Sequence, residues 1–349
     1  MEWFADFTRV SFGGIESAFD VSSVFCEFYI GSSLVQIKWY GVIIALGFTL
    51  AALFGGRIAY TWRMNLSKMV DVLIYGTFGG IIGARAYYVI FQWDYYKLNP
   101  IEIFEIWNGG LAIYGGIIGG IIAGYITCKL EKINFYNFLD LVGMSRLIGQ
   151  GIGRWGNYAN QEAFGIFTNG NYGMMSDKVV NYITRNADKY GLEGVPDIAG
   201  FIDTNDLYVH PTFFYEFVWC MAGFGVLYLI LKKFRKFSGQ LFLCYGIWYG
   251  TGRAMFEGLR TDSLYIGSTD IRVSQALSLA IVAVCAIVLV VKLISVKKHP
   301  QQIEGVDYFP ADAAKMINEI KAEKARLAQE AANKNKVRIP KSQIEKEEE

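Results

Sequence analysis

VSQALSLAIVAVCAIVLVV, residues 273–291, contains no Asp, Glu, Lys or Arg. A helix rises about 1.5 Å per residue, so about 20 apolar residues cross the hydrocarbon core of a bilayer. This stretch is long enough to do so and too apolar to lie on a soluble surface. Residues 39–56 (WYGVIIALGFTLAALFGG) and 106–128 are also free of those four residue types and of similar length. Four further apolar runs qualify once charges facing the interior of a bundle are admitted. They are 70–93 with Arg85, 138–155 with Arg146 and Arg154, 211–231 with Glu216, and 239–259 with Arg253 and Glu257. The pattern predicts an all-α integral membrane protein with seven transmembrane helices.

Composition agrees. The chain has 349 residues, of which 53% are hydrophobic and 16% aromatic. Its mean hydropathy is +0.28 despite a densely charged tail. Length alone would suggest two soluble domains, but the apolar fraction is more than polar surface can cover. The loops give orientation. Arg57, Arg63 and Lys68 follow the first span, Lys129 and Lys132 the third, residues 232–236 (KKFRK) the fifth, and Lys292, Lys297 and Lys298 the last. The alternate loops are poorer in Lys and Arg, so the positive-inside rule puts the N-terminus outside and the C-terminus in the cytosol of a multi-pass cell-membrane protein. Three parts follow: an extracytoplasmic amphipathic segment at 1–35, a seven-helix unit at 36–298 carrying an external head at 157–210, and a charged cytoplasmic tail at 299–349.

Several function classes are excluded. A formal net charge of +1 leaves no nucleic-acid footprint. The five cysteines (Cys26, Cys128, Cys220, Cys244, Cys285) have no metal-like or disulfide-like spacing, and two histidines are too few for a His-based metal centre. No cofactor or metal is expected. The N-terminus reads without a cleavable signal pattern. Gly79, Gly80 and Gly83 in the second span, and Gly115, Gly116, Gly119, Gly120 and Gly124 in the third, predict close helix packing.

Charges inside a bilayer are expensive, so they face the bundle interior and mark function. In this topology Arg85, Arg154, Glu216, Arg253 and Glu257 fall in the outer half, as do Tyr40 and Tyr114, and Arg146 lies deeper. Three outer arginines against two glutamates leave positive charge over. Arginine suits bidentate capture of phosphate, so an outer-leaflet phospholipid headgroup is the expected ligand. The competing readings are an anionic-solute transporter, which needs charges reaching both faces, and a phospholipid-binding membrane protein without chemistry.

Two strings go further. GRWGNYANQEAFG, residues 153–165, resembles the signature G-R-x-G-N-[FY]-x-N-x-E-x-[FYW]-G of bacterial prolipoprotein diacylglyceryl transferases. HPTFFYE, residues 210–216, is similar to that family's H-P-[ST]-x-x-Y-E. WYG (39–41), GGLAIYGG (109–116) and GRAMFEGLR (252–260) resemble further family blocks in the same order. The resemblance covers about residues 30–296. It implies transfer of an sn-1,2-diacylglyceryl group from phosphatidylglycerol to the lipobox cysteine of a preprolipoprotein, releasing glycerol 1-phosphate. It also implies that Arg154 binds phosphatidylglycerol and that Arg253 sits over the headgroup phosphate. Asn157, Asn160 and Glu162 would orient Arg154 or the headgroup glycerol, and Tyr40 and Glu257 would line the cavity wall. Many family members carry His where this chain has Tyr114, so an imidazole base is impossible there. Tyr114 and His210 are the remaining catalytic candidates, with His210 also readable as a structural helix-start residue.

Overall fold

The structure, a computed structural model, describes residues 7–13, 18–31, 33–168, 173–259, 272–298, 322 and 325–330. The expected 299–349 tail lies almost entirely outside these residues. The chain opens with strands β1 (Phe7–Phe12), β2 (Phe19–Ser22), β3 (Val24–Ile30) and β4 (Ser33–Lys38) and enters helix α1 (Trp39–Thr61) directly. α2 (Leu66–Phe91) starts at Asn65, whose side chain accepts from Lys68 N. A short helix α3 (Trp93–Tyr96) and 3-10 turns at Pro100–Phe104 and Ile106–Asn108 lead to α4 (Ile113–Leu130). α5 (Phe135–Asn160) is capped by Asn134, whose side chain accepts from Tyr136 N and Asn137 N. Then come β5 (Phe167–Thr168), β6 (Met174–Ser176), α6 (Asp177–Arg185), α7 (Ile198–Thr204) and β7 (Tyr208–Val209). α8 (Thr212–Lys233), α9 (Gln240–Glu257) and α10 (Val273–Lys298) complete the bundle.

Each of the seven apolar runs contains a long helix. The third begins later than the run that announced it: Gly109 and Gly110 have φ of +89° and +70°, so residues 106–112 cannot join an α-helix. Among the described residues five helices (α1, α2, α4, α8 and α10) are long and apolar enough to cross a membrane by length and composition. α5 and α9 carry more polar residues and pack inside the others. The chain is a mostly helical membrane protein, and its outward faces expose Leu53, Ile82 and Ile287.

The all-α expectation is corrected at the N-terminus and the head. β1 pairs with β2 and with β6, giving a five-stranded sheet of order β2-β1-β6-β7-β5. β3 and β4 form a separate hairpin. Residues of 1–35 and 157–210 thus share one sheet. Val179 and Ile183 of α6 and Ile198 and Ile202 pack with Val209 and Phe213 to give this head its own core.

α5 is the axis of the bundle. Leu141, Met144 and Leu147 are buried against Cys220 and Leu227 of α8, Leu241 and Tyr245 of α9, and Ile58 of α1. The glycine stripes are contact surfaces, as expected. A Cβ on Gly119 would stand 2.3 Å from Gly79 O, and one on Gly115 would stand 2.3 Å from Gly83 O. Only glycine lets α2 and α4 meet this closely. At the end opposite the head, Asp140 is fully buried. Its carboxylate accepts from Arg235 Nε (3.1 Å) and Nη2 (3.0 Å), Gly239 N (2.9 Å) and Phe242 N (3.0 Å). The Arg235 guanidinium also lies 4.0 Å over the Trp62 ring. Arg235 is a buried clamp between α1, α5 and the α8–α9 turn, not the solvated loop cation its sequence context predicts.

Candidate active site

The strings at 153–165 and 210–216 are distant in sequence and stitched together in space. Gly165 N donates to His210 O at 3.0 Å, and His210 N donates to Ile166 O at 3.1 Å. Thr212 Oγ1 donates to Ala163 O. Ile166 N donates to Leu259 O at 2.9 Å, which brings in the 252–260 block. A Cβ on Gly165 would meet both His210 Cβ and Leu259 O at 2.9 Å, so this crossing needs glycine. Tyr40 arrives from α1: its ring lies where a Gly156 side chain would be, 2.8 Å from the built Cβ. The head end of α5 therefore gathers three of the sequence blocks and the start of α1.

The charges sort into pairs. Arg154 Nη2 meets Glu216 Oε2 at 2.5 Å, with side-chain exposures of 21% and 9%. Arg253 Nη2 meets Glu257 Oε2 at 2.7 Å, one turn apart on α9. Arg272 Nη1 donates to the Glu257 carbonyl. Arg85 behaves differently. Its guanidinium is buried and donates to four backbone carbonyls, those of Glu102, Ile103, Gly109 and Gly110. It ties the 97–112 connection to α2 and contributes no surplus charge to an anion site. The three outer arginines thus sort into two arginine–carboxylate pairs and one carbonyl-bound guanidinium.

Each paired guanidinium keeps donors to spare. It carries five N–H groups in a planar fork, more than one carboxylate can occupy, and its closest contact to the carboxylate is through Nη2. The carboxylate fixes the fork and offsets the desolvation of a charge held in the bundle. Glu216, read in the sequence only as one of the outer-half charges and given no site role, is the partner of Arg154. Its signal was a carboxylate at the end of the second string, one to two turns into an apolar run.

The remaining candidates are placed as follows. Glu162 N donates to Asn157 O at 3.0 Å, and Asn160 Nδ2 donates to Glu162 Oε1 at 3.3 Å. Gln161 and Ala163 adopt φ of +54° and +55°, so the chain turns sharply as it leaves α5. His210 Nδ1 lies 3.3 Å from the Tyr215 hydroxyl, and burial pushes its pKa below the usual imidazole range. Its backbone is what stitches the two strings. Tyr114 sits half-exposed in the first turn of α4, a helix packed chiefly on α2. Among the described residues no hydrogen bond or ion pair joins its side chain to Arg154, Arg253 or His210, and no group of three His, Cys, Asp or Glu side chains is placed to hold a metal ion.

A sequence profile described as prolipoprotein diacylglyceryl transferase matches residues 28–291, which spans every block above. The chain belongs to this family. A phosphatidylglycerol–prolipoprotein diacylglyceryl transferase of Staphylococcus haemolyticus (strain JCSC1435) is 40% identical over 260 residues, 74% of this chain and 86% of that protein. The enzyme of the same name from Staphylococcus aureus (strain Newman) is 38% identical over 276 residues, 79% of this chain and 91% of that protein. The likeness covers the helical bundle and the head together.

Proposed function

We propose that this protein transfers the sn-1,2-diacylglyceryl group of phosphatidylglycerol to the lipobox cysteine of a preprolipoprotein at the outer face of a bacterial cell membrane. Family membership sets the reaction, and the observation that carries the site is the pair of glutamate-held arginines, Arg154 and Arg253, on two different helices. All seven long helices cross the bilayer, with α5 and α9 shielded from lipid by their neighbours. The N-terminus lies outside and the C-terminus inside, because Arg57, Lys68, Lys129, Lys132, Lys232 and Lys298 collect at the end opposite the head. The 157–210 head is then extracytoplasmic, and the 299–349 tail is cytoplasmic and dispensable for transfer.

The chemistry is a displacement at the glyceryl carbon that bears the phosphate. The cysteine sulfur forms a bond to that carbon as the thiol gives up its proton to solvent water. The carbon–oxygen bond breaks, and its electron pair leaves on glycerol 1-phosphate. Negative charge grows on the departing phosphate, so donors already fixed toward it lower the barrier. Arg154 and Arg253 supply those donors, with Glu216 and Glu257 holding each guanidinium in place. Asn157, Asn160 and Glu162 orient the headgroup glycerol or Arg154, and Tyr40 walls the cavity against Gly156. His210 and Tyr114 serve as hydrogen-bonding side chains toward the substrates.

The test is direct. Purified protein in phosphatidylglycerol vesicles is incubated with a lipobox peptide, and the peptide mass is read. A diacylglyceryl mass gain on cysteine, with glycerol 1-phosphate released, is expected. Binding of phosphatidylglycerol with no transfer overturns the proposal in favour of a non-catalytic lipid binder. Orientation is read separately in cells: an impermeant thiol reagent should label a single cysteine introduced at 180 and not one at 234.

A further inference from the structure

A cleft of about 530 Å³ lies in the head beside the catalytic helix ends, lined by Gln161, Glu162, Lys178, Asn181, Tyr182 and Arg185 among others. We infer that this cleft holds the polypeptide of the protein acceptor just after its cysteine, and that Lys178 and Arg185 favour carboxylate side chains there. The inference rests on the transferase reading above and adds a subsite to it.

Four observations support the assignment. First, the cleft contains a buried acceptor with no donor. Gln161 is 4% exposed, its Nε2 donates to Tyr158 O at 2.5 Å, and its Oε1 is buried with no hydrogen-bond partner among the described residues. A buried acceptor without a donor is costly, so a small turn of this side chain toward a peptide N–H in the cleft is favourable. Second, one helix face supplies the opposite wall. Lys178, Asn181, Tyr182 and Arg185 follow one another on α6 at the spacing that shares a face.

Third, the charge is unbalanced. Two cations and one carboxylate, Glu162, line it, and among the described residues no ion pair joins them. Fourth, the cleft begins where α5, the helix that carries Arg154, ends: its lining starts at Gln161, one residue beyond the helix. Glu162 is bonded to Asn160, six positions beyond Arg154 on α5, or about 9 Å at 1.5 Å per residue. An extended chain advances about 3.3–3.6 Å per residue, so the third and fourth residues after the acceptor cysteine reach this depth. The lipid's acyl chains stay with the bundle, whereas this wall presents Lys178, Asn181 and Arg185 and lies on the head.

The experiment uses full-length protein in phosphatidylglycerol vesicles at low ionic strength, where such charges are least screened. Two lipobox peptides are compared, carrying Asp-Asp or Lys-Lys at the third and fourth positions after cysteine. Wild type should show a KM about fivefold lower for the Asp-Asp peptide, with similar kcat, as expected for exposed charge pairs. The Lys178→Glu/Arg185→Glu variant should reverse that preference and leave the KM for phosphatidylglycerol unchanged. Both substituted positions are at the protein surface, and retained kcat on either peptide reports that the variant is folded. Equal KM for the two peptides in wild type and variant overturns the subsite. A changed KM for phosphatidylglycerol with no change in peptide preference also overturns it and assigns the cleft to the lipid headgroup. Absence of transfer by wild type to either peptide is a different result, because it removes the underlying transferase reading.

Discussion

Glu216→Gln isolates the contact on which the site depends. Glu216 is buried, and its carboxylate meets Arg154 Nη2 at 2.5 Å. Glutamine keeps the size and one acceptor oxygen but removes the charge. A hydrogen bond to a charged group is worth about 1.5–3 kcal/mol, and each 1.36 kcal/mol is tenfold in rate, so kcat/KM should fall by roughly tenfold to a hundredfold. The loss should appear mainly in kcat, because the misplaced guanidinium matters most when charge grows on the leaving phosphate. The assay follows diacylglyceryl transfer to a fluorescent lipobox peptide over a range of phosphatidylglycerol mole fractions. In Arg154→Ala the same Glu216→Gln change should add little, since the two side chains act as one unit. Unchanged turnover, or tighter lipid binding in Glu216→Gln, would refute the reasoning. It would mean that Glu216 competes with the phosphate for Arg154 instead of holding it.

Three other perturbations probe different parts of the molecule. Asp140→Ala strands a buried Arg235, which should destabilise the protein by about 3–5 kcal/mol, read as a lower unfolding midpoint in detergent with little folded protein recovered. Tyr114→Phe should retain most transfer activity, because a phenol of unperturbed pKa about 10 is a poor base at neutral pH; a loss as large as that of Arg154→Ala would make this hydroxyl the proton acceptor. Burial lowers the pKa of His210, so the unfolded chain binds more protons at this residue as pH falls below about 6.5. The protein should therefore lose stability on acidification through that range, and His210→Gln should flatten the dependence of the unfolding midpoint on pH.

The long helices were legible because a bilayer demands about 20 apolar residues per crossing and the chain supplies them. Their ends were less so: Gly109 and Gly110 interrupt an apolar run through backbone conformation, which hydropathy does not register. The head's sheet was hidden because β5 and β7 are two residues long and β6 three, and β6 pairs with a strand at the far N-terminus. Arg235 stood in a basic loop and read as a cytosolic charge, yet its partner Asp140 lies 95 residues away. Such a pairing exists only after α5 and the α8–α9 turn are packed. At the candidate site, Arg154 and Arg253 stood out in the sequence as costly charges in apolar runs, and each is paired with a glutamate. Glu216 was visible as a charge, but its bond to Arg154 depends on how α5 and α8 are rotated against each other. Arg85 had the same sequence signal as Arg154 and Arg253, and a set of loop carbonyls distinguishes it.

The central claim is that guanidinium forks at Arg154 and Arg253 hold the phosphate as it leaves. Its most direct measurement is the rate of diacylglyceryl transfer from phosphatidylglycerol to a lipobox peptide by wild type, Arg154→Ala, Arg154→Lys and Arg253→Ala, each shown to be inserted and folded. Removing a charged donor that acts in the transition state costs about 2–4 kcal/mol, so each alanine variant should be about 30- to 1000-fold slower. Arg154→Lys should remain strongly impaired, because a compact ammonium does not reproduce the planar fork. Near-normal turnover in Arg154→Ala at both saturating and sub-saturating lipid would contradict the account and make Arg154 a structural partner of Glu216.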